Sequence, residues 1–214
     1  MKILIAIPCM DQVPALFAQS LATMNRIGEC VCAFQMGSLV YTSRNELAKC
    51  AIKNETDYVL WLDSDMVFGA DLLERMLKTV QEDDLDILTG LYFRRVAPYS
   101  PVLFDELRPT GKGWHFTDFQ KIPEHGLFEV GGCGFGCVLM STDVLLSVQA
   151  KHGYLFHPMN NGGEDISFCW RARDCGYKIM CDPELVCGHV GYAVVNDVYY
   201  RSYQDMEARD EGKN

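Results

Sequence analysis

The segment YVLWLDSDM, residues 58–66, predicts both the central strand of the fold and the position of its functional site. Five apolar or aromatic residues run without interruption into two carboxylates, Asp63 and Asp65, which are separated by one serine. A short apolar run of this kind is typical of a strand that is buried on both faces of a sheet. The carboxylates therefore follow the carboxyl end of a strand, which is where open α/β sheets bind their ligands.

The two carboxylates suggest a metal ion. Two acids at this spacing repel each other unless a cation offsets their charge. Carboxylate oxygens suit Mg²⁺ or Mn²⁺, and Mg²⁺ is commonly held by one or two carboxylates together with substrate phosphates. A solvated turn that happens to carry two acids is the alternative, and the triplet alone leaves both interpretations open.

Composition and charge restrict the class of protein. The chain has 214 residues, of which 49% are hydrophobic and 22% charged, as expected of a single globular domain. No apolar run approaches the ~20 residues that cross a bilayer, and the first residues do not resemble a signal peptide. We therefore expect a cytoplasmic protein without a membrane span. The formal net charge of −10 would repel phosphate backbones, so no nucleic-acid partner is expected.

The ten cysteines predict core packing rather than a disulfide framework or a zinc site. No two of them form a Cys-x-x-Cys pair. Cytosolic thiols stay reduced, and a free cysteine packs as a small apolar residue.

Strands and helices alternate through the first half of the chain. Strands are predicted at 3–7, 30–34, 58–62 and 87–93. Between them we expect a helix that follows Pro14, one opened by a capping box at 43–46, and one capped by Asp71. This order predicts the α/β class, with a mostly parallel, doubly wound sheet and helices on both faces. No Gly-x-Gly-x-x-Gly follows the first strand, so a dinucleotide fingerprint is absent.

The second half of the chain is predicted to be more irregular. Residues 94–123 mix basic, aromatic and proline residues and suggest a long loop, either a surface excursion or a cover for a substrate. The glycine-rich run at 130–140 lacks the ending of a phosphate loop. Its glycines are suited to a strand bend or to a close approach of the backbone to a ligand.

Two further positions carry groups with possible chemistry. Glu164 and Asp165 open a predicted helix, where acids also complement the helix dipole. His189 lies between Gly188 and Gly191, and a lone histidine is more often structural than a ligand. Each position taken alone is therefore ambiguous.

The order of these pieces resembles the GT-A glycosyltransferases, most closely members similar to family 2, over about residues 3–192. The resemblance rests on the Asp-x-Asp after an apolar strand, the Glu-Asp that opens a later helix, and the Gly-His that follows it. Supporting matches are Ile7-Pro8, the segment SRN at 43–45 and the glycine-rich strand. It implies a single GT-A-like domain over 1–214. Its nucleotide-binding half would be 1–93, its acceptor and catalytic half 94–192, and its C-terminal tail 193–214.

The resemblance also implies a metal ion and a donor. Asp63, Asp65 and His189 would hold Mn²⁺ or Mg²⁺ against the diphosphate of a UDP- or GDP-sugar. The residues expected along the donor pocket are Pro8, Arg44, Asp63 and Gly132.

The implied catalytic residue is Asp165, or alternatively Glu164, which would face the acceptor hydroxyl. The function implied is metal-dependent transfer of a hexose from a nucleotide-sugar to a soluble acceptor. The chain lacks the Gln-x-x-Arg-Trp motif and the membrane spans of the processive members, which argues against polymer synthesis.

Two other functions fit parts of the sequence. The segment at 60–65 also resembles the first motif of haloacid-dehalogenase-like phosphatases, in which Asp63 would be the nucleophile. A non-catalytic module that binds sugar nucleotides would need the same pocket without a catalytic base.

Overall fold

The computed structural model describes residues 1–119, 121–191 and 194–211. Its strands are β1 (Lys2–Cys9), β2 (Glu29–Met36), β3 (Tyr58–Leu62), β4 (Met66–Val67), β5 (Ile87–Leu91), β6 (Leu103–Thr110), β7 (Gly113–Asp118), β8 (Phe128–Val130), β9 (Gly132–Cys133), β10 (Cys137–Ser141), β11 (Ile179–Val186), β12 (Gly188–Val190) and β13 (Val194–Val195). Its helices are α1 (Ala15–Thr23), α2 (Val40–Lys53), α3 (Leu72–Glu82), α4 (Thr142–His152), α5 (Glu164–Asp174) and α6 (Asp197–Glu211).

A seven-stranded sheet in the order β2-β1-β3-β10-β5-β11-β8 forms the centre of the molecule. β1 runs parallel to β2 and β3, and β11 runs parallel to β5. β10 is antiparallel to both of its neighbours, and β8 is antiparallel to β11 at the edge. All four predicted strands lie in this sheet, so the predicted mostly parallel α/β architecture is confirmed.

Side chains of the central strand alternate between two apolar cores, one on each face of the sheet. Val59 and Trp61 face the core that contains α2, α4 and α5, whereas Leu60 and Leu62 face the core that contains α1 and α3. Trp61 is fully buried and packs edge to face on Phe156 at a centroid distance of 4.9 Å. This two-sided burial explains why the strand shows an unbroken apolar run instead of an alternating one.

Two predicted helix starts need correction. α2 begins at Val40, and the backbone amide groups of Thr42 and Ser43 donate to the Leu39 carbonyl. The predicted capping box at 43–46 is therefore wrong, because these residues already lie inside the helix. Asp71 does precede α3, but its side chain makes no capping hydrogen bond.

The predicted long loop at 94–123 is also wrong for about half of its length. β6 and β7 form a hairpin, and β9 adds a third antiparallel strand on the other side of β6. The indole nitrogen of Trp114 donates to the Met159 carbonyl at 2.8 Å. The hairpin is thereby fastened to the loop that leads into α5.

The predicted C-terminal tail contains a helix. α6 lies against the end of β5, where the ring of Tyr200 stacks on Phe93 at 5.0 Å.

All ten cysteines are free thiols, and five of them are buried, as predicted for core packing. Within the described ranges, no helix is both long and apolar enough to cross a membrane.

Candidate active site

A cavity of about 450 Å³ opens at the carboxyl ends of β1, β2 and β3. Its volume falls within the range of small-molecule sites in proteins. It is lined by Pro8, Cys9, Met10, Gly37, Ser38, Val40, Ser43, Asp63, Ser64, Asp65, Arg95 and His189. The cavity therefore brings together four of the residues singled out in the sequence, which are Pro8, Asp63, Asp65 and His189.

Backbone pairing places His189 beside Asp65. β12 pairs with β4, which directly follows the Asp-x-Asp segment, and the Val190 amide donates to the Asp65 carbonyl at 2.8 Å. The Nε2 atom of His189 lies 3.4 Å from Oδ2 of Asp65. The Nδ1 atom lies 2.9 Å from the Phe93 carbonyl oxygen. Because that oxygen can only accept, Nδ1 carries a proton, and the other ring nitrogen is directed at the carboxylate.

Asp63 has a different partner. Its Oδ1 accepts a hydrogen bond from Nη2 of Arg44 at 2.7 Å, and Nε of Arg44 lies 3.2 Å from Oε1 of Glu164. The Arg44 side chain is only 3% exposed, and its guanidinium group lies 5.2 Å from the centre of the Phe135 ring. Burial raises the pKa of Asp63 above its ordinary value, although Arg44 offsets part of that rise. Arg44 thus joins the end of β3 to the start of α5 through an ion triad in which the arginine is buried and the two acids are partly exposed.

The ion pair of Arg44 and Asp63 changes which residues can be expected to bind a metal ion. Among the residues that the structure describes, no three His, Cys, Asp or Glu side chains converge as a ready metal-binding cluster. The expected trio of Asp63, Asp65 and His189 is therefore not preassembled, because the Asp63 carboxylate is engaged by Arg44. Asp65 and His189 remain as an adjacent pair at the cavity wall.

Asp65 differs electrostatically from Asp63. Burial alone would raise the pKa of Asp65, but His189 and Arg95 outweigh burial and hold that pKa below its ordinary value. Asp65 is therefore ionised at neutral pH.

Glu164 and Asp165 form the first turn of α5, as predicted. Desolvation of the largely buried carboxyl, followed by repulsion from Glu164, raises the pKa of Asp165 to about 6. The adjacent Ile166 amide donates to Asp165 Oδ1 at 2.7 Å, which offsets only part of this effect. Neither acid lines the cavity, and Arg44 connects them to it. A carboxylate with a pKa near 6 is suited to accept a proton at neutral pH.

Two of the residues placed on the donor pocket do not line it. Arg44 lies beneath the cavity in the ion triad. Gly132 is buried in β9, where an added Cβ would lie 2.8 Å from Leu107 Cδ2 and 3.4 Å from Cys169 Cβ. Its missing side chain makes room for protein neighbours instead of a ligand.

Sequence reasoning missed two residues that lie beside the pair of Asp65 and His189. Arg95 lines the cavity, and its Nη1 donates to Asp65 Oδ2 at 2.9 Å. The Tyr92 hydroxyl accepts from the Gly136 amide at 3.1 Å, and its ring meets His189 edge to face at 5.6 Å. Both residues follow β5, whose carboxyl end lies at the same edge as that of β3. That shared edge is the signal that could have identified them.

The glycine-rich run gives a test of this packing. In a Gly134→Ala variant, the added Cβ would lie 2.1 Å from the Tyr92 hydroxyl and 2.8 Å from Val102 Cγ1. We expect overpacking to lower the free energy of unfolding by about 1–3 kcal/mol, as measured by urea denaturation. Gly111→Ala is the control, since nothing lies within 4 Å of its added Cβ. Equal stabilities of the two variants would show that the Tyr92 contact imposes no packing limit.

The parallel sheet, the crevice at its carboxyl edge and the Asp-x-Asp segment define a fold of the GT-A type. A model of the family described as "Glycosyl transferase family 2" matches residues 37–145, just over half of the chain. The chain belongs to glycosyl transferase family 2, and glycosyl transfer is its general class of activity. The matched segment contains Arg44, both aspartates of the Asp-x-Asp segment and Arg95.

Solved structures share the fold. A197 from STIV superposes with a TM-score of 0.65 at 20% sequence identity, over 89% of this chain and 86% of that chain. GalNAc-T7, solved with UDP, GalNAc and Mn²⁺, superposes with a TM-score of 0.62 at 9% identity, over 89% of this chain and 44% of that chain. These identities are low, so the likeness concerns the fold. No curated protein matches the sequence.

Proposed function

We propose that the chain transfers a sugar, of the hexose type, from a UDP- or GDP-sugar to an acceptor hydroxyl, with the help of Mn²⁺ or Mg²⁺. The observation that carries this proposal is the pair formed by Asp65 Oδ2 and His189 Nε2, 3.4 Å apart at the wall of the cavity. The solved GalNAc-T7, which has a similar fold, contains UDP and Mn²⁺.

The two side chains fit a divalent ion. Nδ1 of His189 donates to the Phe93 carbonyl, which leaves Nε2 as the ring atom that faces the Asp65 carboxylate. A divalent ion placed between Nε2 and the carboxylate would be held by both groups, and a backbone carbonyl is a common partner for the outer nitrogen of a metal-binding histidine. A divalent ion held by Asp65 and His189 would neutralise charge on the departing nucleoside diphosphate.

The other wall of the cavity suits the nucleoside. Pro8, Cys9 and Gly37 lie there, where the ends of β1 and β2 are joined by a hydrogen bond from the Gly37 amide to the Cys9 carbonyl. Ser38 and Ser43 add hydroxyl groups that can bond a ribose or a base. Asp63 lies between this wall and Asp65, and it would face the ribose or the sugar.

The acceptor proton would pass to Asp165. Glu164 is the alternative, but its carboxylate is already paired with Nε of the buried Arg44. Asp165 has a pKa raised to about 6 and follows Glu164 in the same helical turn. Asp165 would therefore take the acceptor proton in an inverting transfer.

A binding panel tests the proposal. Thermal unfolding would be followed with UDP, GDP and their sugars, with and without Mn²⁺. We expect stabilisation by one nucleotide class that requires the metal ion and that Asp65→Ala abolishes. The control is Asp205→Ala, since Asp205 is exposed on α6. Stabilisation without metal, or its survival in Asp65→Ala, would contradict the proposal.

The structure and the fate of the donor separate the two alternative functions from a transferase. A phosphatase would need a free Asp63 nucleophile, whereas Oδ1 of Asp63 is bonded to the buried Arg44. A non-catalytic module would bind the nucleotide-sugar in a metal-dependent way without consuming it. Analysis of the donor after incubation with sugar acceptors separates that module from a transferase.

A further inference from the structure

The two aspartates of the Asp-x-Asp segment each contact an arginine, but in different surroundings. Arg44, on Asp63, is 3% exposed and also meets Glu164 and the Phe135 carbonyl. Arg95, on Asp65, is 50% exposed. A buried ion pair is costly to break, because a partner is left charged and desolvated, whereas an exposed pair is weak. The Arg95 contact can therefore be exchanged, and the Arg44 contact is fixed.

Arg95 is bonded to the carboxylate oxygen of Asp65 that faces His189, which is where an ion held by both residues would lie. Its Nη1 lies 2.9 Å from Oδ2 of Asp65, and Nε2 of His189 lies 3.4 Å from the same oxygen. A divalent ion and a guanidinium group on one carboxylate oxygen repel each other. Binding of the metal ion should therefore release Arg95 from Asp65.

A released Arg95 would remain within the cavity. Its other hydrogen bond, to the Val190 carbonyl, is long at 3.5 Å. Among the described residues that line the cavity, Arg95 is the only lysine or arginine. The formal net charge of −10 makes a local cation important for any diphosphate. A guanidinium group is well suited to pair with phosphate oxygens.

We infer that Arg95 is an exchangeable counter-cation: it pairs with Asp65 in the metal-free protein and moves to the donor diphosphate when the metal ion binds. This inference rests on the proposed function. It assigns Arg95 two opposite effects, since the side chain opposes the metal ion at Asp65 but supports the diphosphate. A purely structural ion pair would show neither effect, and a simple diphosphate ligand would show only the second.

The experiment compares Arg95→Met with the wild-type chain. Titration with Mn²⁺ alone, followed by the electron paramagnetic resonance signal of the free ion, should show about three- to tenfold tighter binding in the variant. Titration with UDP and GDP at saturating Mn²⁺ should show about ten- to hundredfold weaker binding of the preferred nucleotide. Both proteins should have similar thermal unfolding curves without ligand, because Arg95 is half exposed.

Arg94→Met is the matched control. It removes the same charge one position earlier, from a side chain that pairs with Asp118 at 3.3 Å and does not line the cavity. We expect both affinities to stay near the wild-type values.

Three results would overturn the inference. These are an unchanged Mn²⁺ affinity in Arg95→Met, an equal gain in Arg94→Met, or unchanged nucleotide binding in Arg95→Met. An unchanged Mn²⁺ affinity in Arg95→Met refutes the exchange at Asp65 but leaves the proposed donor standing. A wild-type chain that binds neither UDP nor GDP refutes the proposed donor together with the diphosphate role of Arg95.

Discussion

Replacing Asp165 with asparagine is expected to lower the rate of sugar transfer by about 10²–10⁴-fold, which is the usual contribution of a positioned general base. Asparagine keeps the shape of the side chain and can still accept the hydrogen bond from the Ile166 amide, but it cannot take a proton. In the wild-type chain, kcat/KM should rise with pH until the carboxylate is ionised, which occurs at a pKa of about 6.

The same substitution should stabilise the protein at neutral pH. The pKa of Asp165 is raised in the folded state from 3.8 to about 6, so the protonated form is favoured by folding. The ionised carboxylate therefore costs stability above pH 6, and this cost disappears below about pH 4. A pKa difference of about two between the folded and unfolded states corresponds to roughly 3 kcal/mol of folding free energy. Partial exposure reduces the gain that we expect from the variant to about 1–2 kcal/mol.

Urea unfolding of both proteins at pH 4 and pH 8 measures this difference. The variant should gain stability at pH 8 but not at pH 4. Asp143→Asn is the control, since Asp143 is an exposed acid in the first turn of α4. A similar gain at both pH values would contradict the raised pKa of Asp165, and a loss of rate below tenfold would show that Asp165 is not the base.

The second large effect is expected at Arg44. Arg44→Met should lower the free energy of unfolding by about 3–5 kcal/mol, because it leaves Asp63 and Glu164 near each other without a cation. Methionine fills a similar volume, so the loss reports charge more than packing. The measurement is urea denaturation at pH 7.

The charge explanation can be separated from loss of packing. Adding Glu164→Gln to Arg44→Met should recover part of the stability, since one uncompensated carboxylate is removed. Arg26→Met, at an exposed position, should change stability by less than about 0.5 kcal/mol. A double variant that is less stable than Arg44→Met would contradict the ion-triad account.

Much of the fold was predictable from local patterns. The run at 58–62 is recognisable as a strand because burial on both faces leaves only apolar positions. The helix predicted after Asp71 is α3, which buries five apolar residues at helical spacing, Leu72, Leu73, Met76, Leu77 and Val80. The hairpin of β6 and β7 was missed because its order depends on tertiary contacts, such as that of Trp114 with the loop before α5.

The site was predictable only in part. Asp63 and Asp65 follow a strand end, which is a local signal. His189 is indicated only by its order in the chain relative to the other motifs. The resemblance to the glycosyltransferases places Arg44 along the donor pocket, whereas its two acidic partners hold it in the interior beside that pocket. Those partners come from different elements, and no local pattern in the sequence reports their meeting.

The antiparallel β10 has a consequence for how this chain is assembled. It lies between β3 and β5, so the strands of residues 1–93 cannot complete their sheet until residues 137–141 arrive. When only the amino-terminal part of the chain has been synthesised, β3 and β5 lack the strand that pairs with both of them. Unpaired strand edges promote association with other nascent chains. Folding of the central sheet therefore requires residues from both halves of the chain at once.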